Sequence, residues 1–557
     1  MIKLNSLVIL FAALSVVAYG QEEKDTTDEY TKLVDLGYIP GLKNSSKLNI
    51  PVRKYPINVA DPEFTYAITP QLYKLNTYFR EPMQPISLGK VQLPDLNPYY
   101  LQAGVGPRRN ALLDFYVGSK RNATNQFSLR AFHQSGTNRI DASGVGHSLV
   151  DFNYKKVYSN TVLKTGLNFD QRRAHLYGYN FDTLFTDQAD SLRRDFFNYG
   201  GFVSLSNAKN TKSSHQLNGK LSGYYFHNLD GTYEWDANFD GSVVEHLKNK
   251  SDLVFRAMYD YSAYGDSTQK LNRNLVFVDA AYVGKLKELK YKIGFKTATD
   301  NGDSVIKDNP AASDYTNFHF YPDIEAQYKL VGNYLIGYGG ITGQMQKNSF
   351  KSQVWNNPFV AFNQRLENTN NALNLFVGAK GSVISDYIQF NARVSYNTFD
   401  NLMLFANSDS LENEFKAVYT GSNSSHTQIK AEVQYKEHER WMVNFAGSYN
   451  TFNFFTYLPL HMPTWEGNLA ARYNFQNKIT FKANVDAFSG RTVTNVSQTD
   501  TTVLKGVVDL SLGADYYLKK NLAVYGSVNN LFNQRYQVWN RYPVQGLHAW
   551  VGIRYNF

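Results

Sequence analysis

Leu547-His548-Ala549-Trp550-Val551-Gly552-Ile553-Arg554-Tyr555-Asn556-Phe557 closes the chain. Leu547, Ala549, Val551, Ile553, Tyr555 and Phe557 fall on one side of this alternation, and His548, Trp550, Gly552, Arg554 and Asn556 on the other. A period of two with one apolar and one mixed polar face describes a strand lying between two different environments.

A C-terminal strand that ends on an aromatic is the pattern of the closing strand of a bacterial outer-membrane barrel, and the other end of the chain agrees. Lys3 precedes an apolar run from Leu7 to Ala18, and Ala18-Tyr19-Gly20 supplies small residues before a cut that leaves Gln21 first. This is the pattern of a secretory signal peptide, residues 1–20. An uncleaved anchor helix is the alternative, but the apolar core is shorter than the ~20 residues that span a bilayer. Without a Cys after the cut, no lipid anchor is expected.

Composition narrows the class further. No later stretch approaches about 18 consecutive apolar residues, and mean hydropathy is −0.42. Aromatic content is 15%, with 41 Tyr and 37 Phe, as expected where aromatic girdles sit at two membrane interfaces. The absence of Cys excludes disulfides and thiolate metal sites. The formal charge is +9, and losing Lys3 with the leader leaves +8. The basic residues are dispersed along alternating strands without a Lys/Arg tract, so no nucleic-acid partner is expected.

Nine of the 16 prolines lie between Pro40 and Pro98, and no long periodic pattern survives among them. Residues 21–97 are therefore expected to form an irregular extension, periplasmic or entering the lumen, with an acidic start at Glu22–Tyr30. From residue 98 to 557, strand-like runs recur with alternating short and long turns. Counting them predicts an all-β fold, a transmembrane antiparallel barrel of about 22 strands.

The two faces can be followed residue by residue. Leu469, Tyr473, Phe481, Val485, Leu512 and Val524 mark an uncharged lipid face. Arg472, Lys482, Asp486, Asp509, Asp515 and Arg554 fall on the opposite face, predicting a polar lumen. A Lys or Arg on the lipid side would cost roughly 2 to 4 kcal/mol at mid-membrane.

Val528-Asn529-Asn530-Leu531-Phe532-Asn533-Gln534-Arg535-Tyr536, followed by Tyr542-Pro543 and the terminal strand, resembles the C-terminal end of TonB-dependent receptors. The resemblance is close over about 30 residues and loose over 99–557. It implies a 22-strand barrel in the outer membrane, with Phe557 as part of the assembly signal. The family carries a plug before its barrel and a TonB box before the plug. Here residues 21–97 contain no plug-like motif, so the chain resembles a plugless, Bacteroidetes-type relative.

Other motifs weigh against enzymatic or metal chemistry. Asp236-Ala237-Asn238-Phe239-Asp240-Gly241 matches the first half of a calcium loop, but Leu247 stands where the bidentate carboxylate belongs. Acids on the lumen face of a strand are the simpler reading, with a cation site at Glu234, Asp236 and Asp240 as the alternative. Gly104-Val105-Gly106-Pro107-Arg108-Arg109 precedes a strand, so it predicts a hairpin and not a phosphate loop. No catalytic motif occurs, and neither enzyme activity nor a cofactor is expected.

The loop from Phe452 to Trp465 concentrates apolar residues, with Phe454, Phe455, Tyr457, Met462 and Trp465 as candidate external contacts and Trp355 as another. The alternative is that these loops fold inward over the mouth. The expected partners are outer-membrane lipids, the barrel-insertion machinery and an envelope protein or separate plug. Two functions fit: a plugless, partner-gated channel or receptor for solute passage, or a non-transport scaffold of an envelope complex.

Overall fold

The computed structural model describes residues 97–557, apart from 121, 138–139, 141, 179–191, 209–214, 249–250, 307–314, 333, 384–386 and 411–412. The predicted leader and the extension up to residue 96 lie outside the described residues.

Twenty-two strands form a single antiparallel sheet. The last strand, His548–Asn556, pairs with the first, Tyr99–Gly106, with Val551 opposite Val105 and Asn556 opposite Tyr100. The sheet is therefore a closed barrel. Closure leaves no unpaired edge, which lets a β-structure cross hydrocarbon. Among the described residues no helix is long and apolar enough to cross a membrane.

The outer wall is built by every second residue. Leu167, Phe255, Phe295, Val377, Phe481, Leu512, Val551 and Ile553 are all exposed. The polar residues between them face the lumen. Short turns such as 476–478 and 520–521 lie at the end where the chain finishes, and the segments 347–368, 401–423, 489–506 and 530–547 at the other. This asymmetry sets the short turns on the periplasmic side and the long loops outside. With its uncharged outer belt and closed sheet, the chain is an outer-membrane β-barrel.

The seam depends on two glycines. Tyr525, on strand Leu522–Asn529, lies over Gly552 and Gly104 on the next two strands. A Cβ on Gly552 would stand 2.6 Å from the Tyr525 ring and 2.7 Å from the Gly104 Cα. Below it, Tyr99 and Phe557 exchange two backbone hydrogen bonds of 3.0 Å and stack their rings at 5.0 Å.

Positive backbone angles explain the two motifs quoted above. Arg108 and Arg109, at φ 63° and 58°, follow Pro107 in the three-residue hairpin connection between the first two strands, where Gly106 pairs with Asn110, and a strand and not a helix follows it. Asn530 and Asn533 also adopt left-handed angles, 50° and 52°. The Asn530 side chain accepts from Gln534 N and donates to the Gln534 and Gln545 carbonyls, while Asn533 accepts from Leu547 N. The motif thus ties the last external loop to itself.

Candidate functional site: the mouth and the lumen wall

The loop between strands Leu335–Gln346 and Thr369–Val383 does not stand out into water. Its helix, α1 (Phe350–Asn356), begins at a Ser349/Ser352 capping box, a local signal too short to register against the surrounding strand pattern. Phe350 N donates to Glu234 (2.6 Å), and Lys347 binds both Asp236 and Asp260. Arg273 donates to the Asn348 carbonyl and to Asn368, and Tyr264 to the Phe362 carbonyl. Arg172 lies 4.0 Å over Trp355, Lys351 3.7 Å over Tyr224 and Arg194 3.8 Å over Phe362. These partners sit on the inner faces of the strands between Thr161 and Leu286, so residues 347–368 fold into the mouth and bind the wall well away from their own strands.

Further loops build on this one. Phe350, Val354, Phe359, Val360, Phe415, Tyr419 and Tyr542 are buried together, and Phe359 stacks on Tyr542 at 3.5 Å. A second cluster joins Leu404, Ala406, Val418 and Leu460, against which Phe454, Tyr457 and Met462 pack. The hairpin Met403–Asn407/Phe415–Tyr419 thus contributes to both clusters, with 537–543 joining the first and 454–464 and Val496 the second. Burial lowers the pKa of Lys351 and raises that of Glu414 despite its Arg194 partner. His461 is pushed down to about 3 by burial first and by Arg491 second.

Of the external-contact candidates, Phe454, Tyr457 and Met462 turn inward to this cluster, and Trp355 packs edge-on against Phe226 at 5.1 Å. Phe455 remains 84% exposed. Trp465 is exposed as well. It opens the barrel strand Trp465–Phe475 opposite Tyr449, on the outward face at the external rim, because the strand alternation runs further than the loop composition suggested.

The lumen candidates fall into groups. Lys482 and Arg554 both bind Asp515, and Arg554 also lies 4.3 Å over the Tyr525 ring. Asp486 accepts from Asn468 and Asn484, and Asp509 from Tyr536 at 3.0 Å. Arg472 pairs in register with Lys482. The three acids of the alternative cation site have separate partners: Glu234 with Tyr224 and Phe350 N, Asp236 with Lys347, Asp240 with Arg256. They do not converge, and no group of His, Asp and Glu among the described residues could hold a metal ion.

Sequence reasoning missed the mouth partners Asp260, Arg273, Arg172 and Lys347, since a period of two assigns a face but not a partner 75 or more residues away.

No family model matches the chain, and no curated protein matches it. Solved structures do. The FrpB iron transporter of Neisseria meningitidis (F3-3 variant) is similar with a TM-score of 0.64 at 11% identity, covering 82% of this chain and 81% of that one. The ferric-catecholate import receptor Fiu of E. coli K12 in its closed form gives 0.64 at 10%, covering 83% and 82%. The alcaligin outer membrane receptor FauA of Bordetella pertussis gives 0.57 at 13%, covering 84% and 77%. At these identities the likeness establishes the fold: this chain has the barrel of those proteins.

Proposed function

We propose that the chain is a TonB-dependent-receptor-like barrel, of the plugless kind, that passes a solute across the outer membrane through a mouth closed by residues 347–368. The observation that carries this reading is the inward fold of that loop onto Glu234, Asp236 and Asp260, since a barrel serving only as an anchor has no use for a charged latch inside its lumen. The similar structures include an iron transporter and import receptors, and transport by this chain is in keeping with them. Residues 21–97 stand in part for the plug, alone or with an envelope partner.

The test is ion conductance in planar bilayers for the full chain, a form lacking 350–366 and a form lacking 21–97. Either deletion should raise single-channel conductance. A barrel that folds in all three forms and never conducts would refute passage and favour the scaffold.

A further inference from the structure

At the external end of strands Thr161–His175 and Arg193–Asn207, two arginines on the outer wall share one acid. Arg173 lies opposite Asp195. By the alternation of each strand, Arg173 faces the same way as exposed Leu167, and Arg193 and Asp195 the same way as exposed Tyr199. Both arginines reach the carboxylate through Nε alone, Arg173 at 2.9 Å on Oδ1 and Arg193 on Oδ2. The Asp195 side chain is 1% exposed beneath them, whereas theirs are 39% and 42% exposed. Among the described residues their Nη groups have no hydrogen-bond partner, so one net positive charge faces outward at the rim. Towards the periplasm the same face turns apolar. Phe169 lies opposite Tyr199, Tyr199 opposite Tyr225 and Tyr225 opposite Trp235. Just below this aromatic row Gly201 lies opposite Gly223, and the missing side chains leave a trough of about 810 Å³ between the rings and Leu167.

We propose that this face seats one phosphate-bearing lipid of the outer leaflet, with its phosphate on Arg173 and Arg193 and an acyl chain in the trough. The inference concerns the outer wall and stands apart from the transport reading. A guanidinium binds phosphate through paired N–H groups. Here two of them present unused Nη ends side by side, held in place by a carboxylate whose buried charge would be orphaned if they swung away. The spacing fits a lipid as well. Arg173 lies four residues from Phe169, about 13 Å along the strand and, at a tilt of ~35–45°, about 10 Å along the membrane normal. The headgroup layer is roughly 5–7 Å deep on each side of the hydrocarbon, so with the aromatic row just inside the hydrocarbon the arginines stand among the phosphates. A trough on a lipid-facing wall is filled by hydrocarbon, because water finds no partners there and a void forfeits contacts. A soluble anion would use the arginines alone and a neutral lipid the trough alone, whereas a lipid carrying phosphate uses both. The inner faces of the same strands hold the mouth loop through Arg172 and Arg194, so lipid and latch lie back to back across one wall.

The test is native mass spectrometry of the full chain in a neutral detergent, titrated with dimyristoyl phosphatidic acid. Dimyristoylglycerol, with the same chains and no phosphate, and inorganic phosphate, with no chains, are the other arms. Phosphatidic acid should add one tightly held copy, bound about ten-fold or more better than dimyristoylglycerol, and inorganic phosphate at the same concentration should not displace it. Replacing the trio by amides, Arg173→Gln/Asp195→Asn/Arg193→Gln, orphans no charge and should abolish that preference. Tyr199→Ala/Trp235→Ala keeps the trio and should weaken both lipids several-fold. Arg554→Gln, on the lumen side, should change neither. Heat-modifiable gel migration shows that each variant keeps the barrel. No preference for phosphatidic acid in the native chain, its persistence in the folded trio variant, unweakened binding to the folded aromatic variant, or displacement by inorganic phosphate would overturn the inference.

Discussion

Acidification should loosen the external cap through one residue. His461 sits where several loops meet. Its backbone N–H donates to the Thr492 carbonyl at 2.9 Å, its Nε2 faces Asn540 N at 3.4 Å, and Trp539 and Phe415 pack on the ring at 4.8 and 5.6 Å. Arg491, anchored on the Gln537 and Val538 carbonyls, is the nearby cation. A proton on this imidazole would add charge to an apolar cage beside a guanidinium, which is why burial and then Arg491 hold the pKa at about 3, against 6.5 in the unfolded chain. The unfolded loop therefore binds the proton more readily. Its stabilisation is complete above pH 6.5 and is lost as pH falls from 6.5 towards 3. At pH 4.5 the loss is about 2.7 kcal/mol, or roughly a hundred-fold in amide protection. Glu414, whose burial raises its pKa, acts in the opposite sense, so a variant is needed to isolate the histidine. Hydrogen exchange at 454–464 and 491–504, corrected for intrinsic rates, should show the drop in the native chain and little of it in His461→Gln. Equal behaviour of the two proteins, or full protection at pH 4.5, would refute the argument.

Three more outcomes are expected. Gly552→Ala should destabilise the seam by about 1–3 kcal/mol, since the new methyl meets Tyr525 and the Gly104 backbone, and the compact unheated band on a detergent gel should melt at lower temperature. Asp236→Asn combined with Asp260→Asn removes both carboxylates from Lys347 and should speed protease cleavage within 347–368 while the barrel stays intact. Deleting Phe557 should lower the amount of assembled barrel more than its thermal stability, because the ring stack on Tyr99 and the two backbone hydrogen bonds with it are each worth only about 0.5–1.5 kcal/mol at the end of a strand, and unchanged assembly would mean that the residue merely packs.

The barrel was legible because each strand must satisfy lipid on one face and water on the other. Where that constraint acts, as from Ile479 to Phe488, sequence alternation and structure coincide. It also marked Asp515, Lys482 and Arg554 as inward-facing, without showing that they meet. The mouth obeys no such period. Helix α1 rests on a single Ser349/Ser352 capping box, and Phe359 finds Tyr542 only because the sheet brings residues far apart in sequence to one rim. The aromatic weight of residues 452–465 signalled that something would be buried there. Composition could not say that Phe454 goes in while Phe455 stays out.

The cap and the lumen wall place different demands on the chain, and the residue chemistry divides accordingly. An opening into water at the external rim cannot be closed by strands, whose hydrogen bonds are already used around the barrel. It is closed by loops that bring their own apolar interior, to which Phe350, Phe415 and Tyr542 belong. Such a cap would drift if it were only hydrophobic, because apolar contact has no direction. Direction comes from ion pairs and charge-assisted bonds at Lys347, Glu234, Arg194 and Arg273, each joining a loop to the inner wall. Deeper in the lumen the charges pair along the wall itself, as Lys482 and Arg554 do on Asp515 and Arg256 does on Asp240. Ion pairs at the mouth join loops to the wall, whereas those below join strand to strand, so the same kind of bond orients the cap and ties the barrel's inner face.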